Sequence, residues 1–176
     1  PFQETMTMVL TKPELIAALQ DEVRILLHLA SKVDPAKIDY RPTPKQRSTV
    51  ELLKYLSMMG PALVQAAKSG AFDGAAWAAA EQAAAAQSYE QALAAIAAQP
   101  GTYASLLADV SDDDLRVEID PFGAGRSSRG AFLVTQVLCS CAAYRTQLFL
   151  YLKACGREDL NTWNLWVGID EPPAAK

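Results

Sequence analysis

The side chains of this sequence that could do chemistry are few: one histidine, His28, and three cysteines among 176 residues. A histidine acts as a base or a metal ligand when a second functional group lies beside it. His28 falls on the polar flank of the first predicted helix, near Arg24 and Ser31. The pattern therefore predicts an exposed histidine without a catalytic role, and the alternative is a lone base or ligand.

The three cysteines, Cys139, Cys141 and Cys155, lie in one largely apolar stretch. An odd number is not typical of a disulfide framework and favours a reducing compartment. On a helix, residues two positions apart point about 200° away from each other, so Cys139 and Cys141 cannot hold one ion together. We predict that the thiols of Cys139 and Cys141 are buried and unreactive. The alternative is a thiolate nucleophile, for which Arg145 is the cation able to lower the pKa.

Other polar clusters give weaker indications. The acidic run at residues 111–115 lacks the alternating oxygen ligands and the closing glutamate of a calcium loop. The sequence contains no phosphate-binding glycine loop and no nucleophile elbow. The last predicted segment contains two asparagines and two tryptophans, Asn161, Trp163, Asn164 and Trp166. These side chains could line a ligand groove, but packing of this tail onto the bundle or onto a second subunit is favoured.

The composition excludes several classes of protein. A net charge of −4 and a pI near 5.0 provide no basic surface for nucleic acid. The apolar stretches end well before the ~20 residues that a membrane span needs, and residues 1–10 do not resemble a signal peptide. We therefore predict one cytoplasmic domain over residues 1–176 that binds neither nucleic acid nor membranes.

Helical patterns account for most of the chain. A capping box of Thr11 and Glu14 opens a helix over residues 11–31. Its apolar face has helical spacing: Leu15, Leu19, Val23, Leu26 and Ala30. A second capping box, Ser48 and Glu51, opens the next helix, in which Gly60-Pro61 predicts a kink or a division into two pieces.

The second half of the chain contains two further helical patterns. An alanine-rich helix is predicted over residues 74–98 and is ended by Pro100-Gly101. Residues 102–128 are irregular, with a short extended piece at 116–119. The last long helix covers residues 128–155 and ends at Gly156. Four long helices without a convincing sheet predict an all-α, up-down four-helix bundle.

The order of these elements resembles the DinB-like family, in which prolines precede an S-x-x-E-L-L-x-H-L helix and an H-x-x-x-H-R-x-Q-L helix follows near the end. The resemblance covers about residues 11–170 and rests on three segments: IDYRPTPKQRSTVELLKYL, SCAAYRTQLFLYLKACG and LNTWNLWVGID. It implies a four-helix bundle and a homodimer.

The resemblance also implies a divalent metal ion held by three histidines, which some members use to transfer low-molecular-weight thiols. The matching positions here are Tyr55, Ser140 and Tyr144. Tyrosine and serine must lose a proton to bind a metal well, so they are poor ligands at neutral pH. We therefore predict no metal and no cofactor. The three hydroxyl groups either fill the site as a hydrogen-bonded cluster or line a small polar pocket.

Two functions follow from this comparison. The first is a non-catalytic or small-ligand-binding homodimer with a pocket formed by residues of the second and last helices: Tyr55, Met59, Ser140, Tyr144 and Gln147. The second is a diverged thiol S-transferase-like enzyme that uses tyrosine, serine or cysteine in place of the metal. No catalytic residue is assigned from the sequence, and Arg145 and Gln147 are expected to be scaffold or pocket-edge residues.

Overall fold

The structure is a computed structural model that describes residues 10–172. The described residues form the following helices: α1 (Lys12–Ala30), α2 (Thr49–Ser69), α3 (Gly74–Ala85), α4 (Tyr89–Leu106), α5 (Arg129–Phe132) and α6 (Cys139–Ala154). A turn of π-helix, Leu133–Leu138, joins α5 to α6, and a second one, Trp163–Val167, lies in the tail. The prediction about a signal peptide falls almost entirely on residues 1–9, outside the described residues.

Four long helical stretches form the bundle: α1, α2, α4 and the continuous α5–α6. The helix α4 packs against α1 and α2, and α6 also packs against both of them. Their apolar faces enclose one core, and α3 lies outside it against α2. The predicted all-α fold is confirmed. No helix within residues 10–172 has the length and hydropathy to cross a membrane.

Two capping boxes set the first two helices where the sequence predicted them. The hydroxyl of Thr11 accepts from the backbone N–H of Glu14, whose carboxylate accepts in return from the Thr11 N–H. The hydroxyl of Ser48 and the carboxylate of Glu51 make the same exchange. The predicted apolar face of α1 is buried along its whole length.

Gly60-Pro61 does not divide α2, which runs unbroken through both residues. Because Pro61 has no N–H, the carbonyl of Ser57 lacks its helical donor. The side-chain amide of Gln99 replaces that donor: its Nε2 lies 3.1 Å from the Ser57 oxygen and 2.7 Å from the Leu56 oxygen. A hydrogen bond from α4 therefore keeps α2 in one piece.

Gly60 makes room for a buried tyrosine of α4. A Cβ at this position would overlap the hydroxyl oxygen of Tyr103 and lie 3.1 Å from its Cζ. The hydroxyl donates to Gln99 Oε1 at 3.1 Å, and the Tyr103 side chain is fully buried. Gly60 therefore allows α2 and α4 to approach closely.

The predicted third helix begins at residue 74 as expected, but it is wrong in its continuity and in its end. The alanine-rich region forms two helices, α3 and α4, because Ser88 and Gln91 make a third capping box that starts a new helix. Pro100 does not end α4, which continues to Leu106. An interior proline costs about 3 kcal/mol, and burial of a large side chain such as Tyr103 beyond it offsets most of that cost.

The connection from α4 to α5 contains the only sheet in the described part of the chain. Strand β1 (Glu118–Ile119) pairs antiparallel with β2 (Ser127–Ser128). β1 falls within the extended piece predicted at residues 116–119, whereas β2 was not predicted; the pair closes the loop that leads into α5.

The last long helix is present as predicted, but it includes the π-helical turn. A π-helical turn holds an extra residue, so the side chains that follow are rotated relative to an uninterrupted α-helix. Cys139, the first residue of α6, is exposed, which corrects the prediction of two buried thiols. Cys141 is largely enclosed, with its thiol inside the bundle.

The tail packs back onto α1, as the sequence favoured. Arg24 donates to the carbonyl of Val167 at 2.8 Å, and Arg145 donates to that of Leu165 at 2.6 Å. His28 lies in this interface, with Nε2 3.2 Å from Asn164 Nδ2 and a side chain only 16% exposed. The prediction of an exposed histidine is therefore wrong, because the tail covers this flank of α1.

Candidate functional site

The residues at the metal-ligand positions of the resemblance include two tyrosines that lie in contact. The rings of Tyr55, from α2, and Tyr144, from α6, meet edge to face with centroids 5.3 Å apart. Ser140 precedes Tyr144 by four residues on α6, so both fall on one face of that helix, and both are half-buried. The packing of α2 against α6 thus brings the two aromatic side chains together.

The other two residues of the predicted pocket have structural roles. Met59 is buried in the core with 1% of its surface exposed. Gln147 donates to the hydroxyl of Tyr151, which in turn donates to the backbone carbonyl of Arg47 at 3.0 Å. Gln147 therefore fixes the segment that enters α2, which positions Arg47 at the start of that helix.

The tyrosine pair does not fit a metal ion. Burial raises the pKa of the Tyr55 hydroxyl well above its usual range, and the neighbouring Tyr144 raises it further. A hydroxyl that keeps its proton is a poor metal ligand. Within residues 10–172 no three histidine, cysteine or carboxylate side chains are placed to hold an ion together. We therefore derive no chemistry through a metal at this position.

Next to Tyr55 is an open recess of about 320 Å³ between the first turns of α2 and the last turns of α3. Its lining carries charges of both signs: Arg47, Glu51, Lys54, Tyr55 and Glu81, together with Ala84 and Ala85. The guanidinium of Arg47 lies over the Tyr55 ring, with Cζ 3.8 Å from the centroid. This cation–π contact holds the charge at the edge of the recess.

Most of these charges already have partners. The carboxylate of Glu51 completes the capping box and pairs with Arg41 at 3.0 Å. Lys54 donates to the carbonyl of Ala85 at 3.0 Å. Arg47 Nη2 lies 3.7 Å from Glu81 Oε1, beyond hydrogen-bonding distance. In the described part of the chain, the Arg47 guanidinium forms this long ion pair with Glu81 but donates no hydrogen bond, so its N–H groups can bind an acceptor.

The recess residues were missed from the sequence, although a signal is present. Arg47, Glu51 and Lys54 precede or open α2 at spacings of four and three, so they share the face that carries Tyr55. Glu81 comes from α3, whose position over α2 has no sequence signal. Only one residue of α3, Ala84, is buried. This helix is therefore the least anchored wall of the recess.

The tyrosine pair continues into a longer row of rings. Trp77, from α3, meets Tyr55 at a centroid distance of 6.2 Å, and Phe72 meets Trp77 at 5.5 Å. We call Tyr144, Tyr55, Trp77 and Phe72 the aromatic row. It runs from α6 across α2 to the start of α3 and ties the otherwise exposed α3 to the bundle.

A second polar group lies inside the bundle, around an ion pair between Glu22 of α1 and Arg145 of α6. Arg145 Nε lies 3.1 Å from Glu22 Oε2, and the arginine side chain is 3% exposed. The angle is outside hydrogen-bonding geometry, and neither atom has another partner in the described part of the chain. Arg145 is thus a buried scaffold residue that joins α1, α6 and the tail.

Cys141 lies beside this ion pair, but it is not an activated nucleophile. Burial raises the pKa of its thiol to about 12, and the charge of Glu22 adds to the effect more than Arg145 offsets it. A thiol with this pKa is protonated at neutral pH. The interior position of Cys141 and the negative neighbour both oppose the thiolate alternative.

Comparison with known proteins finds a similar fold among solved structures. No family model and no curated protein matches the sequence. The fold is similar to that of the crystal structure of YjoA, a DinB-like protein from Bacillus subtilis, with a TM-score of 0.63 and 17% sequence identity. The match covers 84% of this chain and 95% of that one. The similarity supports a DinB-like fold, and at this identity it shows the fold alone.

Proposed function

We propose that this chain is a metal-free, non-catalytic protein that binds a small organic carboxylate and works as a homodimer. The binding site is the recess beside Tyr55. One observation carries the proposal: the Arg47 guanidinium is held over the Tyr55 ring at the recess, with no hydrogen-bond acceptor of its own among residues 10–172.

The side chains of the recess favour a planar anion. A guanidinium presents parallel N–H groups that match the two oxygens of a carboxylate. The Tyr55 hydroxyl stays protonated and therefore adds no negative charge to the recess. The volume of about 320 Å³ is at the small end of ligand pockets, so a small acid fits better than a cofactor. The alanines of α3 provide apolar contact for the body of the ligand.

The same geometry argues against the diverged S-transferase. Nucleophilic catalysis needs a thiolate or an activated hydroxyl next to a base. Burial keeps the Cys141 thiol protonated, and the hydroxyl of Tyr55 keeps its proton. His28, the only histidine in the sequence, contacts Asn164 of the tail instead of this recess. The side chains near Tyr55 are therefore suited to binding.

Isothermal titration of the purified protein with benzoate tests the site. We expect benzoate to bind, and Arg47→Gln to weaken its binding about tenfold or more, because a charge-assisted hydrogen bond contributes about 1.5–3 kcal/mol. The matched control is Arg126→Gln, which alters an exposed arginine outside the recess. Benzylamine tests the sign of the charge. Equal loss of benzoate binding in both variants, or an equal loss of benzoate and benzylamine binding in Arg47→Gln, would contradict the assignment.

Elemental analysis of tag-free protein tests the metal-free state, and we expect a transition-metal content well below one ion per chain. A stoichiometric metal would contradict this part and favour the metalloenzyme interpretation instead.

Light scattering tests the homodimer. Exposed apolar side chains of the tail, Trp163, Trp166 and Val167, offer a surface for a second subunit. Trp166→Ser should therefore weaken the dimer, and a monomeric wild-type protein would contradict this part.

A further inference from the structure

A second and larger cavity lies along the same seam between α2 and α3, beyond the Tyr55–Trp77 contact. Its volume is about 750 Å³, within the range of pockets that hold a small organic molecule. Met58 and Ala66 of α2, both buried, form its floor. Trp77, Phe72 and Leu106 form its apolar walls. No residue lines both this cavity and the Arg47 recess.

The cavity has a marked charge preference. Asp73 is the only ionisable side chain among the residues that line it, and no lysine or arginine is present. Asp73 Oδ1 accepts from the Ala76 N–H at 2.9 Å and caps α3. Its Oδ2 has no partner within residues 10–172. One oxygen of this exposed carboxylate is therefore available at the edge of a largely apolar cavity.

Two of the three neutral polar side chains of the lining are engaged with the backbone, and the third, Gln65, lies at the exposed edge of the cavity. The hydroxyl of Ser69 donates to the backbone, with the Ala71 oxygen 2.9 Å away. The hydroxyl of Thr102 donates to the carbonyl of Ala98 at 3.2 Å. Few donors remain for an anionic group, and Asp73 would repel one. A cation, in contrast, would meet a carboxylate and two aromatic side chains, Phe72 and Trp77.

We propose that this cavity binds an apolar organic amine in its protonated form. The apolar body lies against Met58, Leu106 and the other hydrophobic walls, since transfer of apolar surface from water drives binding. The ammonium group lies at Asp73, next to the rings of Phe72 and Trp77, which are 5.5 Å apart. The proposal goes beyond the carboxylate site, because it concerns a different cavity and a ligand of opposite charge.

Three ligands of matched shape test the proposal: 4-phenylbutylamine, 4-phenyl-1-butanol and 4-phenylbutanoate, titrated calorimetrically at neutral pH. We expect the amine to bind at least tenfold more tightly than the carboxylate and several-fold more tightly than the alcohol. Asp73→Asn should reduce amine affinity to that of the alcohol and leave the alcohol unchanged. Asparagine is also a good N-cap residue, so α3 is retained.

Controls separate this cavity from the recess and from general effects of charge. Asp113→Asn removes an exposed carboxylate that does not line the cavity and should leave amine binding unchanged. Arg47→Gln should weaken benzoate binding and not amine binding, whereas Asp73→Asn should do the reverse. The proposal for the cavity therefore fails or stands independently of the carboxylate site.

Three outcomes would overturn the inference: no binding of the amine, equal binding of the amine and the carboxylate, or equal loss in Asp73→Asn and Asp113→Asn. A cavity-filling variant, Ala62→Phe, provides a test that does not depend on Asp73. It should abolish binding of both the amine and the alcohol while circular dichroism shows an unchanged helix content. Undiminished amine binding in this variant would place the ligand elsewhere.

Discussion

Replacement of Gly60 by alanine tests how closely α2 and α4 are packed. In an exposed helix interior, alanine is more stable than glycine by about 1 kcal/mol. At position 60, the new Cβ would overlap the hydroxyl of Tyr103, a fully buried side chain. Overpacking of this kind costs about 1–3 kcal/mol, and displacement of the hydroxyl from Gln99 costs about 1 kcal/mol more. We expect a net loss of about 2 kcal/mol.

Urea denaturation measures this loss, and two further variants show its cause. Gly101→Ala is the matched control, because Gly101 also lies inside a helix but a Cβ there would have no neighbour within 4 Å. It should stabilise the protein slightly. Tyr103→Phe removes the oxygen that the new Cβ would overlap and leaves Cζ, 3.1 Å away, as the closest neighbour, so Gly60→Ala should be much less destabilising in that background. A double-mutant cycle should give a coupling energy of about 2 kcal/mol.

The reasoning would be refuted if Gly60→Ala stabilised the protein as much as Gly101→Ala. It would also be refuted if the two substitutions at positions 60 and 103 were additive. Either result would mean that the Tyr103 hydroxyl does not occupy the space left by the missing Cβ, and that Gly60 has no role in bringing α2 and α4 together.

Two other groups give predictions with simple assays. His28 is the only histidine in the sequence; burial and the cations Lys32 and Arg24 outweigh Asp170 and hold its pKa below the usual 6.5. Because the folded state disfavours protonation of His28, the contribution of the neutral histidine to stability is present above pH 6.5 and is lost as the pH falls through the folded pKa. An NMR titration of this single histidine gives the folded pKa. His28→Gln should abolish the corresponding step in the pH dependence of the free energy of unfolding. Among the thiols, Cys139 is exposed, whereas burial raises the pKa of Cys141 to about 12. A disulfide reagent at pH 8 should therefore modify Cys139 rapidly and Cys141 only on unfolding. A fast reaction that persists in Cys139→Ser and disappears in Cys141→Ser would contradict this order.

Local signals in the sequence were sufficient for the first two helices. Thr11 and Ser48 each begin a capping box, and each helix begins at the next residue. The third box, Ser88 with Gln91, was hidden in an alanine-rich segment that reads as one helix. Pro100 predicts the end of the helix, but α4 continues, and the sequence does not reveal that Tyr103 beyond it is buried in the core.

The site could be predicted only in part. The resemblance to the DinB-like family singled out Tyr55 and Tyr144, and their rings are in contact. Arg47 and Glu81 escaped notice, because their proximity depends on where α3 lies over α2, which is a matter of tertiary packing. The exposure of Cys139 was missed because it follows the π-helical turn, which a 3.6-residue periodicity cannot anticipate.

The aromatic row also gives the protein a built-in optical reporter. Tyr55 and Tyr144 lie within a few ångströms of each other, and Tyr55 contacts Trp77, so light absorbed by either tyrosine passes efficiently to the indole. Trp77 lines the cavity proposed for an amine, while Tyr55 lines the recess proposed for a carboxylate. With Trp163 and Trp166 replaced by phenylalanine, the emission of one fluorophore would respond to both sites. Excitation of tyrosine and direct excitation of tryptophan would then distinguish displacement of α3 from a change in polarity around the indole.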